Sequence, residues 1–244
     1  MSARPACFTL LTPTAETGAD GRHDESLLEI ATRHGPVASL WQTRRSLVVP
    51  RSYRRFDAFA SACDRFAAQG WPVSIRQTGG GIVPQGPGIV NLSLAYCVQG
   101  PPMQHSEAGY LLICRILTHV LHVLGIEAFP AAVEGSFCDG RYNLAVRWRG
   151  ETVKIAGTAQ SWRRVPGGGD QYVGLVHGLV LLDTDSAFLT QAANAFEEAI
   201  GSERRYQAGK VISAAELLGR SQGLWGRIEE ALKQVDVIGR PDET

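Results

Sequence analysis

The sequence predicts an α+β fold in which helices pack on a largely antiparallel or mixed sheet, and three observations carry the prediction. Apolar residues recur at helical spacing in several stretches, and strand-like runs follow one another through the middle of the chain. No sustained alternation of strand and helix appears that would build a simple parallel Rossmann sheet. With 244 residues the chain can bury a large core, so residues 1–244 are expected to form a single domain.

The elements follow in order. Asp24 and Glu25 ahead of Leu27, Leu28, Ile30 and Ala31 predict a short helix over Arg22 to Gly35, stopped by its glycine. Val37 to Val49, rich in Val, Leu and Trp, reads as one strand. Tyr53 to Gly70 reads as a helix through Phe56, Phe59, Ala60, Cys63, Phe66 and Ala67. Val73 to Gln77 and Ile89 to Val98 read as strands flanking a glycine-rich connection, a hairpin whose second arm alternates through Val90, Leu92, Leu94 and Tyr96. Ser106 to Leu124 places Tyr110, Ile113, Leu117, Val120 and Leu121 on one side of a central buried helix that Gly125 closes.

Further on, Phe129 to Val133, Tyr142 to Trp148, Thr152 to Trp162 and Tyr172 to Leu182 read as an antiparallel meander, turned at Arg149-Gly150 and through the Pro166 to Asp170 loop. Ser186 to Ile200 and Ala214 to Val235 read as two closing helices, and Gly239 to Thr244 as a frayed tail.

Composition narrows the function classes. Lys plus Arg and Asp plus Glu number 24 each, so no global field favours nucleic acid or an anionic membrane. The first ten residues are too little apolar for a signal peptide, and no run approaches a membrane span, which together predict a cytoplasmic protein. Cys7, Cys63, Cys97, Cys114 and Cys138 are odd in number and show no CxxC or Cys/His grouping, so thiols are expected rather than disulfides or structural zinc. Cys63, Cys97 and Cys114 sit in apolar periodic segments and read as buried, inert hydrophobes. Cys138 lies instead in the turn-forming stretch Gly135-Ser136-Phe137-Cys138-Asp139-Gly140, where exposure and backbone amides favour a reactive thiolate.

Three further features bear on chemistry. Gly79, Gly80 and Gly81 form either a hairpin loop or a backbone cradle for a polar or anionic group, and the fork of Arg76 beside them suits a carboxylate or phosphate. The loop has neither P-loop nor GxGxxG spacing. Lys154, within an apolar, small-residue strand, either snorkels outward or points into a cleft, where it would polarise an acyl carbonyl or balance a phosphate. His177 is either a core histidine or a base or ligand contact, and His119 and His122, without a third ligand, receive no metal role.

These motifs stand together in a known order. Arg76-Gln-Thr-Gly79-Gly80-Gly81-Ile82-Val83 followed by Gly88-Ile89-Val90-Asn91-Leu92-Ser93 resembles the RRxSGGG-A-V…G-N-L-N-x-S signature of lipoate-protein ligases and their octanoyltransferase relatives. Asp139 to Leu144 resembles their G-R-N-D-hydrophobic segment, Lys154-Ile155-Ala156-Gly157-Thr158-Ala159-Gln160 their K-hydrophobic-x-G-x-A-Q block, and His177-Gly178 their downstream H-G pair. The resemblance runs from about residue 76 to 183 and implies a biotin/lipoate ligase-like catalytic domain that binds a lipoyl, octanoyl or biotinyl group. Carried over by position, Arg76, Gly79, Gly80, Gly81, Gly157 and His177 are acyl-binding candidates, and Lys154 is a catalytic one that contacts the acyl carbonyl or an adenylate phosphate.

Departures separate the subfamilies. Tyr142-Asn143 stands where ligases carry Asn-Asp, and Gln85-Gly86 where His-Asp commonly follows the glycine loop, which weakens the expectation of magnesium-bound nucleotide. Gly135 to Gly140 resembles the G-S-aromatic-C-P-G of cysteine-dependent octanoyl amidotransferases, with Asp139 in place of proline, and makes Cys138 the nucleophile candidate. The expected function is therefore transfer of an octanoyl or lipoyl group to a lysine of a lipoyl domain through a Cys138 thioester. The acyl group is a substrate and no cofactor or metal is expected to be tightly bound, while lipoyl-domain proteins are the expected partners. The alternatives are an ATP- and Mg-dependent lipoate- or biotin-protein ligase and a non-catalytic cofactor-binding module.

Overall fold

The computed structural model describes residues 7–17, 22–76 and 79–239; Gln77 and Thr78 of the glycine-rich motif and residues 240–244 of the predicted frayed tail lie outside them. The first half comprises β1 (Phe8–Thr17), α1 (Arg22–His34), β2 (Val37–Thr43), β3 (Ser46–Pro50), α2 (Phe59–Ala68), β4 (Val73–Arg76), β5 (Val83–Gln85) and β6 (Ile89–Gln99). Then come α3 (Ser106–Val123), β7 (Phe129–Pro130), β8 (Leu144–Trp148), β9 (Glu151–Arg164), β10 (Gln171–Leu181), α4 (Ser186–Ala199), α5 (Ala214–Leu218), α6 (Leu224–Lys233) and β11 (Ile238–Gly239). Eight strands form one mixed sheet, ordered β11-β1-β2-β6-β10-β9-β8-β7, and β4-β3-β5 form a smaller one. Strands β7 to β10 pair antiparallel in sequence, which is the predicted meander, whereas β1 runs parallel to both β2 and β11.

Strand alternation sorts the core into two sides. Val176 and Val180 of β10 join Leu92 and Leu94 of β6 under α3 and α6, where Ile113, Leu117, Val120, Ile228 and Leu232 are buried. On that side a Cβ at Gly178 would lie 2.6 Å from Leu117 Cδ1, so the close seat of α3 requires glycine in the His177-Gly178 pair. On the other face Val173 and Leu175 pack under Leu27 and Leu28 of α1, and Leu179 and Leu181 pack against the small sheet and Phe196 of α4. Between these patches the same face carries buried Asn91 and Ser93 and half-buried His177, a polar interruption in an apolar surface. The site lies there.

Several predicted boundaries shift, each for a local reason. Val37 to Val49 is two strands, because after Thr43 the chain leaves the large sheet and restarts at Ser46 in the small one; both halves are apolar, so the corner leaves no compositional trace. Tyr53 to Gly70 is not one helix: a 3-10 turn at Arg51–Arg55 turns the Tyr53 ring inward, and α2 begins only at Phe59. The predicted hairpin does not form, since β4 pairs parallel with β3 (Leu47 opposite Val73) while β6 belongs to the large sheet. Strand β5, short and containing Pro84, intervenes and escaped prediction, as did β1 and β11. Phe129 to Val133 shortens to Phe129–Pro130, and Tyr142 and Asn143 belong to a turn before β8. The last predicted helix is two, separated by left-handed Gly219 and Gly223 (φ 65° and 77°). Of the cysteines predicted to be buried, Cys114 is, whereas Cys63 and Cys97 are partly exposed.

Candidate active site

Strand β9 supplies the central cation. Its register with β8 slips: Ala145 faces Lys154, but Leu144 faces Ala156, so Ile155 is extra. Such a bulge turns side chains that strict alternation would separate. Ile155 and Ala156 both enter the core under α3, and Lys154 and Gly157 come to share the opposite side. The Lys154 side chain does not snorkel to solvent; the residue is 1% exposed. Its Nζ donates to the carbonyls of Phe137 (2.7 Å) and Cys138 (2.8 Å). A Cβ at Gly157 would sit 3.2 Å from Nζ, which is why the strand carries glycine where the lysine stem folds back. Burial pulls the Lys154 ammonium down to about 8, partly opposed by Cys138 and Asp139.

Cys138 sits in the segment between β7 and β8 at φ 54°, a left-handed conformation that a residue with a Cβ adopts only when its surroundings impose it. The imposing groups are identifiable. Its carbonyl receives Lys154 Nζ and also Asn143 Nδ2 at 2.7 Å, and Asn143, 1% exposed, accepts from Thr158 N at 3.4 Å. Across the cleft, a Cβ on Gly80 would lie 2.9 Å from Cys138 Sγ and 3.0 Å from Arg76 Nη2. Gly80, at φ 107°, is thus the gap through which guanidinium and thiol face one another.

Arg76 does more for the loop than its motif implied. Nη1 donates to Val48 O (3.2 Å) and Nη2 to the carbonyls of Gly79 (3.0 Å) and Gly81 (2.6 Å), so the fork shapes the glycine loop from within. Its Nε has no hydrogen-bond partner among the described residues. The three glycines are not equivalent. Gly79 has open space where a Cβ would go, whereas at Gly81 a Cβ would approach Tyr206 Oη (3.2 Å) and Arg204 Nη1 (3.4 Å).

Two spaces meet at Cys138. An outer cleft of about 640 Å³ is lined by the three glycines, Cys138, Gln160, Arg204 and Tyr206 among others. A narrow inner cavity of about 70 Å³ is walled by Val48, Val83, Gly157, His177 and Leu179. Cys138, Thr158 and Ala159 border both. All eight residues proposed from the sequence, Arg76, Gly79, Gly80, Gly81, Cys138, Lys154, Gly157 and His177, line one or other of these spaces.

At the inner end, His177 Nδ1 meets Ser93 Oγ at 2.9 Å, and that oxygen accepts from Trp41 Nε1 at 3.0 Å. Burial, with Arg76 and His23 nearby, holds the imidazole down to about 4 and therefore neutral. Gln85 pairs reciprocally with Asn91 (2.9 and 3.1 Å), and Tyr142 stacks on Tyr110 at 4.5 Å. His122 bonds exposed Glu127 and His119 lies on the same helix, neither lining these spaces. Among the described residues, no group of three or more His, Cys, Asp or Glu side chains is arranged to hold a metal ion, and no helix is long and apolar enough to cross a membrane.

One cluster escaped the sequence reading. Glu197 of α4 is fully buried, and its Oε1 accepts from the hydroxyls of Tyr53 and Tyr206 (the latter at 2.7 Å). Tyr53 Oη also accepts from Ile82 N at 3.2 Å, tying the cluster to the end of the glycine loop. The signal was present: Glu197 follows Phe196 in the buried stripe Leu189, Ala193, Phe196, Ile200, where a charge has no packing reason to be.

Known proteins resemble this chain in sequence and in fold. The family described as lipoyl protein ligase A/B catalytic domain matches residues 22–232. An uncharacterized protein of Cupriavidus necator is 45% identical over 232 residues, covering 90% of this chain and 92% of its own. An octanoyl-GcvH:protein N-octanoyltransferase of Kyrpidia tusciae is 36% identical over 200 residues, 80% of this chain and 66% of that protein. A lipoate-protein ligase A crystallised with ATP superposes with a TM-score of 0.64 at 18% identity, covering 96% of this chain and 87% of that one, a likeness of fold.

Proposed function

The chain belongs to the lipoyl protein ligase A/B catalytic domain family, and from that premise we propose that it moves an octanoyl or lipoyl group onto a lysine of a lipoyl domain, carried in transit as a Cys138 thioester. The observation that carries the reading is the position of Cys138, whose sulfur lies at the junction of the mixed polar and apolar outer cleft and the apolar inner cavity. The apolar inner cavity of about 70 Å³ beside Val48, Val83 and Leu179 would take the first methylenes of an acyl tail, which would leave its carbonyl at the sulfur and the outer cleft open to a partner's lysine. Enclosure of the tail also limits hydrolysis of the thioester.

In the first half-reaction the Cys138 sulfur attacks the donor's acyl carbonyl, the C–N bond breaks as the thiol proton passes to the departing amine nitrogen, and the thioester forms. Arg76 Nη2 and Cys138 Sγ face one another across Gly80, which sets the guanidinium beside the sulfur that would carry the acyl group. Lys154 has three protons and spends two on the Phe137 and Cys138 carbonyls, which leaves one for the developing oxyanion. The similarity to the Kyrpidia tusciae octanoyltransferase supports this direction of chemistry. Incubation with an octanoylated lipoyl-domain donor should add one acyl mass to the intact chain in an acid-stable form, and Cys138→Ser should remove the adduct. Full transfer activity in Cys138→Ser would refute the thioester.

A second reading has its own support. The size of the outer cleft and the two arginines on its rim, Arg204 and Arg205, suit a nucleotide, as in adenylate-forming lipoate ligases. Pyrophosphate release dependent on free lipoate and ATP, undiminished in Cys138→Ser, would establish it in place of the first.

A further inference from the structure

An acyl thioester is attacked only by a neutral amine, and at pH 7 on the order of 1 in 10³ free lysines is unprotonated. The second half-reaction therefore needs a proton acceptor near Cys138. Lys154 is a poor one, because its ammonium already donates to two carbonyls. We propose that Tyr206, backed by the buried Glu197 carboxylate, is that acceptor, a reading that rests on the acyl-transfer function proposed above.

Three observations point to it. The Tyr206 hydroxyl borders the outer cleft and lies 3.2 Å from the point a Gly81 Cβ would occupy, while the backbone N of Cys138 lies 3.6 Å from the same point. The hydroxyl and Cys138 thus line the same cleft, the one through which a lysine would reach the sulfur. Behind it, Tyr206 Oη donates to Glu197 Oε1, and Glu197 Oε2 is buried without a hydrogen-bond partner among the described residues. The unpaired Oε2 of this fully buried side chain leaves an open acceptor position directly behind the tyrosine. Third, Arg204 Nη1 lies 3.4 Å from the same Gly81 point, and a cation beside an incoming ammonium weakens its hold on its proton. Tyr53, donating to the same Glu197 oxygen and accepting from Ile82 N, locks the pair against the loop.

The step balances. The lysine ammonium gives one proton to Tyr206 Oη as the phenolic proton passes to Glu197. The freed nitrogen lone pair attacks the thioester carbonyl, the C–S bond breaks, and its electrons return to sulfur, which takes the second nitrogen proton as the amide forms. Run backwards with a donor amide, the same two protons leave on the departing amine, so the cycle closes without another acid or base.

The test loads Cys138 from a donor whose leaving group needs no proton, the octanoyl thioester of N-acetylcysteamine. Discharge is then followed by intact mass with two nucleophiles, a lipoyl-domain lysine and hydroxylamine, which is already neutral at pH 7. Tyr206→Phe and Glu197→Gln should load like the parent chain and discharge normally to hydroxylamine, yet transfer to the lysine at least tenfold more slowly. Urea midpoints close to that of the parent chain show that the variants fold. Equal slowing with both nucleophiles, or none with the lysine, would overturn the relay while leaving the thioester intact. Failure of the parent chain to load would instead remove the acyl-transfer reading and the relay with it.

Discussion

Lys154 Nζ lies 2.8 Å from the carbonyl oxygen of Cys138, so the buried cation grips the backbone of the thiol-bearing residue and not only its surroundings. With Asn143 on the same oxygen, two donors hold a left-handed, non-glycine residue in place.

Removing the cation should therefore damage fold and chemistry together. Lys154→Met keeps the stem's volume but leaves the Phe137 carbonyl without this donor and the Cys138 carbonyl with Asn143 alone, at about 1–3 kcal/mol for a buried acceptor left unpaired. A lower urea midpoint and loss of the acyl adduct are both expected; unchanged stability would show that Lys154 does not clamp the loop.

Asn143→Ala tests the other donor. Thr158 N loses its side-chain acceptor and the Cys138 carbonyl keeps one donor, so the left-handed turn should relax at a cost of about 1–3 kcal/mol. The rate of Cys138 alkylation by iodoacetamide should change with it, and an unaltered rate would argue that the turn is held elsewhere.

The glycines should separate cleanly. Gly79→Ala meets open space and should keep transfer activity within about twofold, whereas Gly80→Ala brings a methyl to 2.9 Å from Cys138 Sγ at positive φ and should abolish it. Gly157→Ala, 3.2 Å from Lys154 Nζ, should fall between them, with overpacking of about 1–3 kcal/mol. Equal tolerance at 79 and 80 would contradict the described loop.

His177 sets an acid limit. Its folded pKa of about 4 lies below the ordinary 6.5, so between those values the unfolded chain binds a proton that the folded chain refuses. Stability should be unaffected by this group above pH 6.5, fall as pH drops towards 4, and level off below. Urea midpoints for His177→Gln should show a shallower acid limb; His23, also lowered by burial, accounts for part of what remains.

Much of the fold was legible because period and punctuation are local. The amphipathic spacing of Ser106 to Leu124, the meander through β10 and the order of the glycine, Lys154 and His177 motifs all read directly from neighbouring residues. Pairing was less legible: the apolar run from Val37 to Val49 does not say that its halves join different sheets, nor that β4 finds β3 instead of β6.

Sequence alone thus determined the mixed α+β class and nominated eight of the residues that line the cleft and its inner cavity. Tertiary structure decided what they do to one another. The bulge at Ile155 brought Lys154 onto the side of Gly157, Arg76 turned inward to hold the loop beside Cys138, and Glu197, 59 residues beyond that cysteine, closed in behind Tyr206. The physical reason is range. Periodicity is set by bonds between neighbours, whereas the partner of a buried charge is set by which distant segments the core forces together.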